Sequence, residues 1–134
     1  MNIFKIAALV VLCVLSATQA YAGAVDTLLA EYRAAGAGPF SAAEGERQWL
    51  RTHKDPKTGQ ERNCQTCHGK DLKVPGKHAK TGKVIDPLAP SVNKERLTDI
   101  AFINKWFKRN CKWTLGRVCT AQEKGDFLEY LRTQ

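Results

Sequence analysis

The five residues from Cys64 to His68 constrain this chain more than any other feature, because they read Cys-Gln-Thr-Cys-His. Two cysteines three positions apart lie about one helical turn from each other, so their sulfurs can reach the two vinyl groups of one porphyrin. The histidine after the second cysteine can then ligate the iron with a neutral imidazole. Gly69 follows, and its missing side chain lets the backbone turn away close to the ring. The motif predicts one covalently attached haem c and its iron.

Three other interpretations of the motif fit less well. A thioredoxin-like redox pair needs a surrounding strand-helix-strand pattern, and no convincing strand pattern lies nearby. A structural zinc site needs a second ligand pair at metal spacing, whereas Cys111 and Cys119 are eight positions apart. A disulfide between Cys64 and Cys67 leaves His68 without a role.

The first 22 residues read as a secretory signal peptide that is cleaved on export. Lys5 supplies the positive flank, Ile6 to Leu15 form the apolar stretch, and Ala20-Tyr21-Ala22 is a small-residue cleavage site. The apolar stretch is too short to span a bilayer. We therefore expect a periplasmic bacterial protein, soluble after cleavage, with a single haem-binding domain over residues 23–134.

Length and charge exclude several classes of function. A chain of 134 residues has room for one small domain, which excludes a multidomain enzyme, a membrane transporter and a doubly wound nucleotide-binding fold. The formal net charge is +8. In an exported protein this charge favours an acidic protein partner or a membrane surface and disfavours nucleic acid. We expect a monomer.

Four helical patterns predict an all-α fold. Val25, Leu28, Leu29 and Tyr32 recur at helical spacing, and this first helix is expected to end near Gly36. Ser41 and Glu44 predict a capping box for a second helix that reaches about Thr52. Residues 54–62 and 70–90 are predicted to be loops, since prolines and glycines interrupt them.

The second half of the chain contains the other two helices. Thr98 is predicted to cap a third helix that runs to about Arg109, with Ile103 and Trp106 turned inward and Phe102 or Phe107 alongside. Thr120 and Glu123 predict a capping box for the last helix. The apolar residues of that helix are expected to be buried: Phe127, Leu128 and Leu131.

Gly45 and Trp49 resemble the glycine-x-x-x-aromatic pattern of class I cytochromes c. In that class an early helix crosses the final helix closely at the glycine. The resemblance implies a small class I cytochrome c-like fold, with helices wrapped around one covalent haem.

The second axial ligand of the iron cannot be methionine, which most small electron-carrying cytochromes c use. Met1 is the only methionine, and it belongs to the predicted signal peptide. His78 is the strongest donor by ligand chemistry, although a lysine-rich loop surrounds it. His53 reads as a C-terminal cap of the second helix, and Asn110 reads as the C-cap of the third helix. On chemistry and spacing alone, His78 ranks first.

A family resemblance reverses this ranking. From about Leu28 to Leu131, the chain resembles the sphaeroides haem protein (SHP) family of oxygen-binding cytochromes c, also described as the DUF1924 domain. The resemblance rests on several motifs in order: Cys64 to Gly69, Thr81-Gly82-Lys83, Pro87 to Ser91, Thr98-Asp99, Lys105-Trp106, Arg109-Asn110-Cys111, Gly116-Arg117 and Cys119-Thr120.

The resemblance implies residue roles that spacing leaves open. In that family the asparagine before the first late cysteine is the distal haem ligand, which here is Asn110, and the two late cysteines form a disulfide, here Cys111 with Cys119. Release of the asparagine on reduction would allow O₂, NO or CO to bind. The resemblance also implies a dihaem cytochrome c and a membrane cytochrome b as electron donors.

Two other functions compete with this one. The first is a plain electron carrier with His78 as a permanent sixth ligand. The second is a reductase or oxidase of a small nitrogen or oxygen compound, although no residue near Asn110 is identifiable from sequence as a proton donor. A run of five lysines after the motif is either a solvated face or a docking face for an acidic partner: Lys70, Lys73, Lys77, Lys80 and Lys83.

Overall fold

The computed structural model describes residues 23–134, and helices dominate this part of the chain. The predicted signal peptide lies outside the described residues. The helices are α1 (Ala24–Ala34), α2 (Ala42–Leu50), α3 (Gln65–His68), α4 (Ile100–Leu115) and α5 (Ala121–Arg132). The strands are β1 (His53–Lys54), β2 (Glu61–Arg62), β3 (Gly76–Lys77) and β4 (Val84–Ile85). The predicted all-α class is confirmed, since each strand has only two residues.

The predicted first helix is confirmed. Its apolar side chains face inward, where they meet Ile103 of α4 and Leu128 of α5 in one apolar cluster. Leu28, Leu29 and Leu128 are almost fully buried, so this cluster fastens the first helix to the last two. The side chains that α1 contributes are Val25, Leu28, Leu29 and Tyr32.

The predicted glycine crossing between α2 and α5 is confirmed. A Cβ atom added at Gly45 would lie 2.6 Å from the carbonyl carbon of Asp126 and 2.8 Å from the Cβ of Tyr130. Real Cβ atoms do not approach other atoms so closely, so only glycine allows the two helices this separation. Trp49, one turn further along α2, is buried against Phe127 and Tyr130.

The start of α2 differs from the predicted capping box. The Ser41 hydroxyl accepts a hydrogen bond from the Glu44 amide as expected. The reciprocal bond is absent, because the Ser41 amide donates to the buried Asp126 carboxylate at 2.8 Å and the Glu44 carboxylate pairs with Arg47. Asp126 thus joins the start of α2 to the middle of α5. The box at Thr120 and Glu123 forms completely and confirms that prediction.

Helix α4 is longer than predicted, and its cap is different. Asp99, rather than Thr98, caps the helix by accepting from the Phe102 amide at 3.0 Å. The helix does not end near Arg109. It continues to Leu115, and Gly116 ends it with a left-handed conformation at φ 75°. The interpretation of Asn110 as a C-cap was therefore wrong, because no breaker precedes Gly116 and the asparagine lies inside the helix.

The faces of α4 were predicted only in part. Ile103 is buried as expected, and Phe107 packs between two apolar clusters. Trp106, which was expected to face inward, is instead 36% exposed and lies beside the exposed Phe102. Lys105 and Arg109 place cationic groups 5.6 and 5.5 Å from the Trp106 ring centroid. These cations cover part of the ring without burying it.

The two predicted loops each contain a short antiparallel ribbon. In the first, His53 pairs with Arg62, so His53 lies in β1 and does not cap α2, which ends at Leu50. In the second, Gly76 pairs with Ile85. Two-residue strands leave too little alternation in the sequence to be predicted from their pattern. Among the described residues, no helix has the length and apolar character needed to cross a membrane.

Candidate haem site

The attachment motif forms a single short helix. The reciprocal bonds between Asn63 and Thr66 begin it, with the Thr66 amide 3.1 Å from Asn63 Oδ1 and the Asn63 amide 3.0 Å from Thr66 Oγ1. Gly69, at φ 72°, ends it. Cys64 and Cys67 are half-buried, and their thiols are not joined to each other. The motif therefore holds two free sulfurs one helical turn apart.

The imidazole of His68 lies in an apolar and aromatic environment. The Trp49 ring centroid is 5.5 Å from that of His68. Burial, with a smaller contribution from the positive charge of Arg96, lowers the pKa of His68 to about 4. The imidazole is neutral near pH 7, which is the form that ligates iron. Burial also raises the pKa of the Cys64 thiol to about 12.

The β3–β4 hairpin lies directly against the motif helix. A Cβ atom added at Gly76 would lie 3.0 Å from the His68 Cα and closer still to the Cys67 carbonyl. The amide of Ala79 points at the Cys67 sulfur, 3.4 Å away. Sequence reasoning missed the role of Gly76, which the Pro75-Gly76 pair signals only as a turn.

Helix α4 contains Asn110 and, directly after it, Cys111, which lies in the apolar cluster beside the motif. Cys111 and Cys119 are buried and paired as a disulfide with their Cα atoms 5.6 Å apart. Both belong to the apolar cluster against which Cys64 also packs. The Asn110 side chain is exposed, and within residues 23–134 it makes no hydrogen bond.

Arg62 links the motif segment to α4, a contact that sequence reasoning also missed. This buried arginine donates from Nη1 to the Trp113 carbonyl at 2.8 Å, and its guanidinium carbon lies 4.5 Å from the centroid of the Trp113 ring. Its Nη2 pairs with the Asp55 carboxylate. Arg62 precedes Cys64 by two residues and Trp113 follows Asn110 by three, so the contact joins the two halves of the candidate site.

The remaining histidines have other structural roles. His78 Nδ1 accepts from the backbone amides of Lys80 at 3.3 Å and Thr81 at 3.2 Å, which organises the turn of the hairpin. His53 lies in β1, and burial followed by nearby arginines lowers its pKa. His53 therefore lies in a strand of the first ribbon, and His78 lies in the turn of the second.

The residues present fit a covalently bound haem. Two free thiols are spaced for two attachment points, a neutral imidazole adjoins them, and Gly76, which has no side chain, lets the hairpin backbone lie close to the motif. An apolar cluster connects this helix with α4. A short Cys-x-x-Cys-His helix within a fold whose early and final helices cross at a glycine defines a small class I-like c-type cytochrome.

Comparison with known proteins identifies the family. Residues 35–131 match the family model described as "Domain of unknown function (DUF1924)". The chain is 43% identical over 107 residues to the cytochrome c-type protein SHP of Cereibacter sphaeroides, an alignment that covers 80% of this chain and 81% of SHP. The chain therefore belongs to the DUF1924 family of SHP-like c-type cytochromes, and its cofactor is haem c.

Solved structures agree with this assignment. Oxidised SHP, an oxygen-binding cytochrome c, superposes with a TM-score of 0.73 at 41% identity and covers 84% of this chain and 98% of its own. Cytochrome c'' from Methylophilus methylotrophus, whose solution structure addresses haem-ligand detachment, gives a TM-score of 0.69 at 36% identity. That match covers 82% of this chain and 93% of the other. Both neighbours confirm the predicted fold.

Proposed function

We propose that this chain is a periplasmic monohaem cytochrome that accepts an electron and then binds a diatomic ligand such as O₂, NO or CO. In this proposal Cys64 and Cys67 attach the haem, His68 is its permanent axial ligand, and Asn110 is a labile second ligand of the oxidised protein. The description of SHP as an oxygen-binding cytochrome c supports the gas ligand. The solution structure of cytochrome c'' addresses haem-ligand detachment, which supports a detachable ligand in this chain.

The proposal depends most on one observation, the exposed Asn110 side chain that makes no hydrogen bond within residues 23–134. Asn110 is exposed, whereas the adjacent Cys111 is 4% exposed and fixed in the core. Because the Asn110 amide has no hydrogen bond within residues 23–134, it can bind or leave without breaking one. An amide oxygen is also a neutral and hard donor, which suits oxidised iron better than reduced iron.

When bound, the haem would supply a redox-active iron, and His68 and Asn110 would be its protein ligands. The fold supports these two residues in different ways. His68 belongs to α3, which contains Cys67 and follows directly after Cys64, and Trp49 limits the space around its ring. Asn110 belongs to α4, which is separate in sequence and contacts the motif segment through the apolar cluster and through the Arg62–Trp113 hydrogen bond.

Two contacts keep α4 near the motif while the asparagine is detached. The Cys111–Cys119 disulfide adjoins Asn110 and anchors its helix in the apolar cluster that also contacts Cys64. Arg62 holds the Trp113 carbonyl from the other side of the site. In the proposal, both contacts limit the distance that Asn110 moves, so it rebinds from a nearby position.

The competing electron carrier with His78 as sixth ligand has less support. His78 Nδ1 already accepts two backbone hydrogen bonds in its own turn. A ligand role would have to keep this turn intact while the ring also reached the iron. The electron donors remain those that the family resemblance implies, a dihaem cytochrome c and a membrane cytochrome b, and export depends on the predicted signal peptide.

Optical spectra of the purified holoprotein test the proposal. We expect the reduced protein to shift its Soret band on addition of CO. Asn110→Met supplies a ligand that stays on reduced iron and should greatly lower CO affinity. Asn104→Met makes the same change at an exposed position of α4 and serves as the matched control. His78→Ala should leave the oxidised spectrum unchanged.

The opposite spectra would reject the proposal. A reduced wild-type protein that stays six-coordinate and low-spin, and whose spectrum ignores CO, has no labile ligand. If His78→Ala abolished the oxidised spectrum, the electron-carrier alternative would replace the present one. If Asn110→Met and Asn104→Met lowered CO affinity equally, residue 110 would have no specific role in ligand binding.

A further inference from the structure

Residues 70–86, here called the lysine hairpin, form a strongly cationic surface. All five lysines are exposed, and their only acidic neighbours within the segment are Asp71 and Asp86. In the described part of the chain, none of these lysines forms an ion pair. Their charges therefore face solvent unpaired, with five lysines in the segment against two aspartates. The lysines are Lys70, Lys73, Lys77, Lys80 and Lys83.

The backbone of the hairpin turn is well organised. The His78 amide donates to the Lys83 carbonyl at 2.8 Å, and the Gly82 amide donates to the His78 carbonyl at 2.9 Å. The His78 ring accepts the two further amides of Lys80 and Thr81. A turn held by four hydrogen bonds presents its lysines from a fixed backbone, which reduces the entropy lost when a partner binds.

The lysine hairpin also borders the haem-attachment sulfur. The Ala79 amide contacts the Cys67 sulfur, and Gly76 lies against the His68 backbone. A protein bound to this surface would sit beside the covalently attached edge of the haem. This position is suited to electron transfer, because the path from partner to cofactor is short.

Exposed apolar side chains accompany the lysines. Val74 is 50% exposed and Val84 is 72% exposed. Apolar side chains surrounded by charged residues are typical of protein docking surfaces, where the charges guide encounter and the apolar groups are buried on contact. The hairpin combines both features within 17 residues.

Helix α4 is a second cationic surface, but it fits docking less well. It carries Lys105, Lys108, Arg109 and Lys112 and no acidic residue. Two of these cations, Lys105 and Arg109, already lie over the Trp106 ring. The α4 lysines therefore offer a control surface of similar charge.

We propose that the lysine hairpin is the docking surface for an acidic face of the protein that donates electrons to this cytochrome. This inference rests on the proposed function only in requiring that the chain accept electrons. Long-range attraction between the lysines and a negative partner raises the association rate, and salt screens it. The apolar contact at Val74 and Val84 then forms in the docked complex.

Stopped-flow reduction of the oxidised holoprotein tests this surface. The probes are the hydroquinone form of an acidic flavodoxin and, as an uncharged reductant, reduced lumiflavin. The hairpin variant replaces Lys73, Lys77 and Lys80 with glutamine. Its matched control replaces Lys105, Lys108 and Lys112 with glutamine and removes the same charge from α4. Rates are measured across a range of ionic strength.

We expect the hairpin variant to slow reduction by flavodoxin about tenfold or more at low salt and to flatten the salt dependence. Its rate with lumiflavin should be unchanged, and the α4 variant should slow flavodoxin about twofold or less. Equal slowing by both variants would overturn the inference, because net charge alone would explain it. A second result would also overturn the inference. In it the hairpin variant is reduced by flavodoxin at the normal rate and loses binding only to vesicles of anionic phosphatidylglycerol.

Carbon monoxide binding by both triple variants separates this test from that of the proposed function. If the protein does not bind CO but its reduction still depends on the hairpin lysines, the docking inference stands and the gas-binding proposal fails. If both variants bind CO normally and the hairpin substitutions do not affect reduction, the gas-binding proposal stands and the docking inference fails.

Discussion

The two sides of the candidate haem site are built in different ways. On the side of His68, a four-residue helix places the imidazole beside Cys64 and Cys67, and Gly76 and Trp49 pack against this helix. On the side of Asn110, the side chain is exposed and without hydrogen bonds among the described residues. Only its neighbours are fixed, through the disulfide and Arg62.

In the proposed function, this difference would let one chain provide a permanent ligand in His68 and a labile ligand in Asn110. Local sequence positions His68, so its place depends on few other contacts. Asn110 lies 42 residues further along the chain in a different helix, and its place depends on cross-links that act on its neighbours rather than on its own amide. The following changes test this contrast between the His68 side and the Asn110 side.

The largest effect should come from His68→Ala. Loss of the permanent ligand should greatly reduce the yield of stable holoprotein, whereas Asn110→Ala should keep full haem content and change only the spin state of the oxidised iron. Haem content by pyridine haemochrome and the oxidised absorption spectrum measure the two quantities. Equal loss of haem in both variants would show that the two sides do not differ.

Removal of the disulfide should act on the Asn110 side. Cys111→Ala with Cys119→Ala opens a short loop, and we expect the free energy of unfolding to fall by roughly 2–3 kcal/mol. Guanidinium denaturation measures this, with Val118→Ser, an exposed change in the same loop, as the control. If the double variant loses stability but keeps wild-type CO affinity and rebinding rate, the positioning role of the disulfide is wrong.

Gly76→Ala should act on the His68 side. The new Cβ would press on the His68 Cα and the Cys67 carbonyl, and overpacking against the backbone costs about 1–3 kcal/mol. Gly23→Ala is the control, since its φ of −62° suits any residue and its new Cβ would meet only the end of the Asp26 side chain at 3.9 Å. Denaturation followed at the Soret band measures both, and an equal loss for Gly76→Ala and Gly23→Ala would contradict the contact.

The smallest effect should be a pH dependence beside the disulfide. Hydrogen bonding from Arg117 is the main cause that lowers the pKa of Glu123 from 4.5 to about 2. A carboxyl whose pKa is lower in the folded state stabilises the fold above pH 4.5, and this contribution is lost as the pH falls towards 2. Solvent screening limits it to about 1 kcal/mol.

Denaturation at pH 7 and pH 3 checks this prediction. Glu123→Gln should lower stability at pH 7 and leave a smaller difference between the two pH values than in the wild type. Glu95→Gln, at an exposed position, should leave the difference intact. An unchanged pH difference in Glu123→Gln would show that its pairing with Arg117 has no net effect on stability.

Several features were predictable because short sequence patterns encode them. The spacing of Cys64, Cys67 and His68 defines a local helix, and the apolar spacing of α1 defines its buried face. The box at Thr120 and Glu123 involves residues within one turn. Gly45 was also predictable, because a close crossing of helices requires a residue without a side chain at the contact.

Other features depend on residues that are far apart in the chain. The Ser41 amide bonds Asp126, 85 positions away, and Arg62 bonds Trp113, 51 positions away. No local pattern signals either partner, because hydrogen bonds of this kind form only after the helices have packed. The exposure of Trp106 likewise depends on how α4 packs, whereas the wrong helix end at Asn110 is a local matter, because no breaker precedes Gly116.

Local spacing was enough to predict the haem c cofactor, since covalent attachment needs only a few neighbouring side chains in a short helix. The long-range fold settled which groups lie across from that helix, how firmly α4 is fastened, and where the lysine hairpin sits. These depend on packing between distant segments, and the free energy of such packing is shared by many contacts rather than by any one motif.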